Sequence, residues 1–593
     1  MGLPIVLLTS CVAYWTFRGR FVELNQVTAL GSREALFPSL LGTVAFVVCY
    51  CQSILILFRS TYHRPFEYFL VIGLLSALIA FEIGLSNYEG RSSAAPLTLS
   101  KIMLVAMNLQ IGRYLLFPLF SFGIDAIFHE SLTRSMLETG QIPSGTSYTA
   151  FPGFHIAGTA LSLITALPSL KATLYLSCGL FGIISLALIY KLATVFLGTQ
   201  RGLFATLLAL SATWLVELRV EMTPQLLGFT MFLYLAYMLI GRPRKRSSAV
   251  AVFVIVASLT ITHTLSSFVS LVSLAALILG RAVVATKGAK QSRLVLSCFI
   301  LTASYWIYGC TFSDFVIRNF LATIGRASLL SFPLHFLSWW ESDLAWLGTY
   351  AIYWLAGFGS LWYLRARRRT AQRVSLVFML LALLSIPYVF LVFLSSWSIV
   401  PDRWYAFALA LAVIPASWTT ASFARNWKPP SKALYMFVLV LVVTFFSITS
   451  PYANDDMPLL ARNVTRESFT ESELRAASTL NSIHKGIINT DVLYGGVVFN
   501  WTLNDRQLTD KKLILIDVHM LAAEKAIDGV IIIRTAGFTS PVRFLTGGTY
   551  ARGAYSPYFY ILGTYSRDFM ETQISRGNVV YNSQSVVAIL PLG

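Results

Sequence analysis

The sequence predicts a mainly α-helical protein: a bundle of about thirteen membrane-spanning helices followed by a separate α/β domain. Three observations carry this expectation. Of 593 residues, 56% are hydrophobic and 12% are charged, with a mean hydropathy of +0.68, far from the balance of a soluble domain. The apolar residues fall in runs that approach the ~20 residues needed to cross ~30 Å of hydrocarbon, and short basic linkers separate them. After residue 450 charged and turn-forming residues rise, and short strand-like runs replace the long apolar ones.

The runs lie near 3–17, 37–58, 66–86, 172–196, 203–218, 224–241, 248–262, 265–280, 294–312, 346–364, 374–396, 404–422 and 433–450. The first lacks a basic n-region and a small-residue cleavage site before Arg18, so it reads as a retained helix rather than a signal peptide. Four linkers are strongly basic: Arg242, Arg244, Lys245 and Arg246; Arg281, Lys287, Lys290 and Arg293; Arg365, Arg367, Arg368, Arg369 and Arg373; Arg425, Lys428 and Lys432. The positive-inside rule places all four in the cytoplasm, and strict alternation of helices satisfies all four at once. The formal charge of +18 therefore orients the chain in a membrane, which sets aside a nucleic-acid groove.

Segment 98–120 is interrupted by Asn108, Gln110 and Arg113 and ended by Pro118. It is expected to lie along the outer interface, which gives thirteen spans with the N-terminus, Arg59 and Arg64 inside; if it crossed, Arg59 and Arg64 would be outside. Alternation then places outside the stretch 119–152, the turn 217–223, the turn near His263, the loop 313–345, the turn 397–403 and everything after 450.

In the C-terminal region, Glu471–Lys485 reads as a helix, and Val492–Phe499, Leu513–Val518, Gly529–Ile533 and Val579–Ile589 read as strands. Sequons at Asn463-Val-Thr465 and Asn500-Trp-Thr502 fit an exported domain. All six cysteines lie at or before residue 310 in apolar runs, so this domain is not a disulfide scaffold. Cys49-Tyr-Cys51 has no histidine in its run to complete a metal site. No internal repeat or low-complexity tract is evident.

Four elements on the outer face carry residues suited to chemistry. Asp125 and His129 share a helical face at i, i+4, with Glu130 beside them, and an amphipathic helix is expected from Ser131 to Ile142. The same stretch continues into Tyr148-Thr-Ala-Phe-Pro152-Gly-Phe-His155. The alternative is that Asp125 merely caps the helix. The second element, Glu217-Leu-Arg219-Val-Glu221-Met-Thr-Pro224-Gln225, sets acids and an arginine where a helix hairpin turns; the alternative is an ordinary polar turn before a proline-started helix. The third is His263 with hydroxyls on both sides, interrupting what is otherwise one apolar run, where a polar residue marks a pathway, a site or a satisfied interhelical contact. The fourth, Pro401-Asp402-Arg403-Trp404, starts a helix from the outer side. Arg403 is placed to meet an anionic head group or to snorkel to the interface, and Arg318 and Arg326 are equally available.

Together these elements resemble the GT-C class of polytopic glycosyltransferases, in the archaeal and bacterial branch that uses dolichyl-phosphate-mannose-type donors. The resemblance rests on Gly123-Ile-Asp125 with His129, then Gly140-Gln-Ile-Pro143 and Tyr148 to Pro152, and on family-like positions for Glu221 to Gln225 and His263. It implies a catalytic module over 66–450 with its first outer loop at 119–152, N-terminal helices over 1–65 and an extracytoplasmic domain over 451–593.

It further implies inverting transfer of a sugar from a polyprenyl phosphate to a glycan, lipid or protein acceptor outside the cell membrane. Asp125 would be the base and Glu221 a second catalytic acid. His129, Glu130, Tyr148, His155, Glu217, Arg219 and His263 would contact substrate, and Arg403 the phosphate. No cofactor is implied. A divalent metal is not favoured because Asp125-Ala-Ile lacks a second acid, although Asp125, His129 and Glu221 are a set that could converge on one ion.

The chain departs from the oligosaccharyltransferase branch of that class, whose Trp-Trp-Asp-type motif lies in the soluble domain; here the similar run, Trp339-Trp340-Glu341-Ser-Asp343, falls between membrane helices. Single-sugar transfer is accordingly expected rather than transfer of a whole oligosaccharide. A transporter or flippase for lipid-linked saccharide is the alternative, but it should show inverted repeats or charges near the midplane. An exported assembly protein that uses the helices as an anchor comes last.

Overall fold

The computed structural model describes residues 33–59, 64–86, 94–116, 125–144, 147–241, 246–284, 289–309, 339–365, 370–394 and 401–450, with segments of the C-terminal region between 453 and 591. In chain order the helices are α1 (Arg33–Arg59), α2 (Phe66–Leu85), α3 (Ala94–Leu116), α4 (Asp125–Thr139), α5 (Gly153–Thr165), α6 (Ser169–Leu197, with a π-helical stretch at Tyr175–Phe181), α7 (Thr199–Ser211), α8 (Thr213–Val220), α9 (Pro224–Gly241), α10 (Arg246–Thr262), α11 (Thr264–Val284), α12 (Ala289–Ser304), α13 (Trp339–Arg365), α14 (Ala371–Leu394), α15 (Pro401–Phe423) and α16 (Pro429–Ile448).

Among the described residues six helices are long and apolar enough to cross a membrane, or seven if the bent pair α7–α8 is one span. The thirteen expected spans are thus not all present as long apolar helices. Several runs form apolar stretches of 10–17 residues, such as Pro224–Ile240, Ala249–Thr262 and Ala371–Pro387, and the run at 3–17 lies outside the described residues. The run at 203–218 is not one straight helix, because the chain bends by 68° at Ala212, whose ψ of 124° leaves the helical region.

The four basic linkers meet at one end of the bundle. Arg281 Nη2 donates to the Leu239 carbonyl at 2.7 Å and Gln372 Nε2 to that of Ile240 at 2.9 Å, which joins the linkers after α9, α11 and α13. Gly280 lets α11 and α14 touch there, since a Cβ at that position would stand 2.6 Å from Ser375 Cα. The Arg373 guanidinium lies over the Tyr363 ring at 5.3 Å, and Arg201 is within electrostatic reach of both Tyr363 and Lys432, which brings in the fourth linker.

The interfacial placement of 98–120 is corrected by the packing. Helix α2 runs antiparallel to α16: Gly84 meets Ala433, Gly73 meets Leu441, and the Phe66 and Phe445 rings are 5.5 Å apart. Arg64 therefore lies at the end opposite the basic linkers. Helix α3 is built into the bundle parallel to α1, with Lys101 Nζ on Thr43 Oγ1 at 3.0 Å and Asn108 Nδ2 on Ser53 Oγ at 2.6 Å. It leads from the basic end to the opposite one. Of the polar residues that suggested an interface, Asn108 and Gln110 are buried, and Asn108 accepts from the Tyr68 hydroxyl at 3.0 Å; Lys101 on the same helix bonds Glu82 at 2.6 Å.

The C-terminal region opens with α17 (Glu471–Ile483), started by a Thr470/Glu473 capping box. Among the described residues seven strands follow: β1 (Ile488–Thr490), β2 (Leu513–Leu515), β3 (Val530–Arg534), β4 (Val542–Leu545), β5 (Tyr560–Gly563), β6 (Gly577–Asn582) and β7 (Val586–Pro591). Five form a mixed sheet in the order β2-β1-β3-β7-β6, with β1 parallel to β2 and β3, and β7 antiparallel to β3 and β6; β4 and β5 pair separately. The expected α/β character holds, with two local corrections. The run at 492–499 contains a π-helical turn at Tyr494–Phe499, and 579–589 belongs to two strands of a hairpin.

This domain is organised around a buried ion pair, Arg534 with Asp491 at 2.8 and 2.9 Å, and the guanidinium lies over the rings of Phe469 and Tyr494. Both sequons lie outside the described residues.

Candidate active site

The end of the bundle opposite the basic linkers gathers most of the candidate residues. Asp125 is the first residue of α4, which starts six residues earlier than the helix expected from Ser131. One turn on, His129 is buried, and its Nδ1 stands 3.0 Å from Nε2 of His155 in the first turn of α5. Tyr148, in the 3-10 turn Ser147–Ala150, sets its ring edge-on to His129 with centroids 4.6 Å apart. Chain segments separated by a polar loop are thus joined through three rings.

A 3.0 Å contact between two imidazoles requires one ring to donate and the other to accept, so the pair is stable with both rings neutral. Burial dictates the same. It pushes His155 down to about 4, and burial, followed by the nearby His155, His263 and Arg403, drives His129 well below its ordinary range. His263 and Arg403 are therefore close enough to His129 to act on it electrostatically. His263 is buried at the α10–α11 junction, with Nδ1 2.8 Å from Ser266 Oγ. Arg403 is half-buried in the first turn of α15, and its carbonyl accepts from Gln225 Nε2 at 3.2 Å.

The acidic residues are held by a second set of contacts. Glu221 caps α8 at its C-terminal end, half-buried, with its N–H on the Glu217 carbonyl at 3.1 Å and its own carbonyl receiving the Ser177 hydroxyl at 3.0 Å. Its neighbour Met222 packs with Ala126 and Cys178, so the chain at Glu221 and the start of α4 meet across one small apolar cluster. Glu130 is buried, with Oε1 accepting from Ser169 Oγ at 2.6 Å. Glu217 is half-buried in α8.

Arg219 is turned the other way. Its Nε donates to the Leu215 carbonyl at 2.7 Å and its Nη2 to the carbonyls of Ala209 (3.1 Å) and Leu210, where α7 ends at the bend. These carbonyls lose their helical partners when the chain leaves α7, and the guanidinium replaces them. The residues that sequence reasoning missed are small ones. Ser169 holds Glu130 and carried no signal, whereas Ser266, which holds His263, is one of the hydroxyls flanking it in sequence. The Trp339–Asp343 run opens α13 instead of lying in a loop. Arg318 and Arg326 lie outside the described residues. Among the described residues no group of three or more His, Cys, Asp or Glu is gathered as a metal-ligand set.

A bundle with its basic linkers at one end, its polar site at the other and a mixed α/β domain behind it defines a class of protein, the polytopic membrane proteins with a folded terminal domain. No protein-family model matches the chain, and no curated protein does. Several solved structures are similar to the chain, three of them at 9–13% identity and TM-scores below 0.5.

They include the oligosaccharyltransferase of Archaeoglobus fulgidus tethered to an acceptor peptide, at 10% identity and a TM-score of 0.45. That match covers 70% of this chain and 64% of that one, so the chain spans less than two thirds of its length. The archaeal oligosaccharyltransferase AglB from Archaeoglobus fulgidus, in complex with an inhibitory peptide and a dolichol-phosphate, matches at 9% identity and a TM-score of 0.47 over 86% of this chain and 77% of that one. ArnT from Cupriavidus metallidurans matches at 13% identity and 0.45 over 85% and 98%.

Proposed function

We propose that this protein is a membrane glycosyltransferase that moves a sugar from a polyprenyl phosphate to an acceptor at the extracytoplasmic face, with inversion at the anomeric carbon. The observation that carries this reading is the meeting of His129, Tyr148, His155, His263 and Arg403 beside the start of α4, at the end opposite every basic linker. Under the positive-inside rule that end is outside.

In this reading Asp125 takes the proton from the acceptor hydroxyl as its oxygen attacks the anomeric carbon, for which a carboxylate ionised at neutral pH is suited. The glycosidic bond to phosphate breaks, and the lipid phosphate leaves as a stable anion, so no general acid is needed. Arg403 lies against the charge that develops on the phosphate. Glu221, set across the Ala126–Cys178–Met222 contact from Asp125, orients the acceptor. The neutral His129–His155 pair and Tyr148 suit sugar hydroxyls and a sugar face, because neutral imidazoles both donate and accept. Arg219 is left out of the substrate contacts, since its hydrogen bonds serve the helix break.

One observation favours the transporter reading: a bent helix pair within the bundle, a device that transporters use to line a binding site. Here the bend at Ala212 is buried and its carbonyls are taken by Arg219, so it offers no backbone to a passing solute. The test is sugar transfer by purified full-length protein from a panel of radiolabelled polyprenyl-phosphate sugars, with and without EDTA. Transfer from one donor supports the proposal, and the EDTA arm decides metal dependence. Intact protein that transfers nothing but moves lipid-linked saccharide across proteoliposomes would reverse the choice.

A further inference from the structure

Leu170, in the first turn of α6, packs into two cores at once. On one side it lies against the cluster of Ala126, Cys178 and Met222. On the other it lies against the core of the C-terminal domain, which contains Phe469, Ala476 and Leu480 from the entry and length of α17. The preceding residue, Ser169, donates from Oγ to Glu130 Oε1 at 2.6 Å. Ala126 and Glu130 are i and i+4 on α4, so one face of the helix that begins at Asp125 is held by two consecutive residues of α6.

We propose that the C-terminal domain positions Asp125, through Leu170 and Ser169. This rests on the reading of Asp125 as the base. Three physical points support it. The first turn of α6 follows Pro168 and has no side-chain cap, so its place is set by tertiary contacts rather than by its own end. Among the described residues Glu130 is held by the Ser169 hydrogen bond, its Oε2 being buried without one, so loss of the Ser169 contact releases the carboxylate from α6. Packed side chains transmit displacement rather than absorbing it, because interiors are dense. A shift of the C-terminal domain thus moves Leu170, then Ala126 and Glu130, and with them the first turn of α4. Leu170 is a positioning residue: it touches no reacting atom.

The test uses the full-length protein with Leu170→Ala, which withdraws from both cores, and Leu170→Met, which keeps the volume. Amide hydrogen exchange over 125–139 and the separate values of kcat and KM are read on each. Leu170→Ala is expected to accelerate exchange in 125–139 and to lower kcat about tenfold at unchanged donor KM, with Leu170→Met restoring both. Ser169→Ala, a milder change, is expected to act in the same direction. Unchanged exchange over 125–139 in Leu170→Ala overturns the inference whatever the activity, as does a wild-type kcat in that variant. A wild-type protein that transfers no sugar instead overturns the functional reading on which the kinetic half depends.

Discussion

Acidification should destabilise this protein through the His129–His155 pair, and His155→Gln isolates the effect. The folded His155 is pushed down to about 4, whereas an exposed histidine titrates near 6.5. A depressed histidine pKa means that the unfolded chain binds the proton first. The contribution is therefore complete above about pH 6.5 and is lost as pH falls from there toward 4. Between pH 7 and pH 5 the linkage for this one ring amounts to about 2 kcal/mol, since at pH 5 the unfolded ring is almost fully protonated and the folded one only about one tenth so. His129 is displaced in the same direction, partly by His155 itself, and adds to the loss. The assay is thermal unfolding of wild type and His155→Gln in one detergent at both pH values. Wild type should lose several degrees more than the variant on acidification. Equal losses in the two proteins would refute the claim that this buried pair is held neutral by the fold.

Other perturbations follow from particular contacts. Arg219→Met removes the donor that serves the carbonyls of Ala209, Leu210 and Leu215, and should cost about 2 kcal/mol, seen as a lower melting temperature. Gly280→Val forces α11 from Ser375, 2.6 Å from the added Cβ, and should cost about 1–3 kcal/mol, while Gly42→Ala, with nothing within 4 Å, should leave the melting temperature unchanged. Asp491→Asn removes the charge that faces a buried guanidinium and should cost the C-terminal domain about 3–5 kcal/mol, read as its earlier unfolding and faster proteolysis, with the first turn of α4 loosened as well.

Much of the architecture was legible because charge sits in the linkers. Four basic clusters implied one common end, and the contacts of Arg281, Gln372 and Arg373 place them there. The sequence was misleading where polarity is satisfied internally. Asn108 looks like an interfacial residue until Ser53 and Tyr68 supply partners from distant segments. The bend at Ala212 carries no Gly or Pro signal, because its carbonyls are replaced by an arginine seven residues later. In the C-terminal domain the apolar run before Asn500 looks like a strand by composition and is a π-helical turn at Tyr494–Phe499.

At the site, the i, i+4 spacing of Asp125 and His129 was readable. The meeting of His129 with His155 was not, because it depends on α5 folding back over α4, where Thr159 Oγ1 donates to the Thr133 carbonyl at 3.2 Å. The two roles of Arg219, turn residue or substrate contact, could not be told apart from a turn motif alone; the bent helix pair presents carbonyls that its guanidinium binds.

The central claim is that the first carboxylate of α4 takes the acceptor proton. It is tested most directly by comparing wild type, Asp125→Asn and Asp125→Glu in single-turnover transfer from the polyprenyl-phosphate sugar that wild type accepts, with donor binding measured on each. The asparagine variant keeps shape and loses basicity, so it should bind donor normally and transfer at least about a hundredfold more slowly, with partial recovery in the glutamate variant. Transfer by Asp125→Asn at the wild-type rate would contradict the claim and move the base to another acid of the site, Glu221 first.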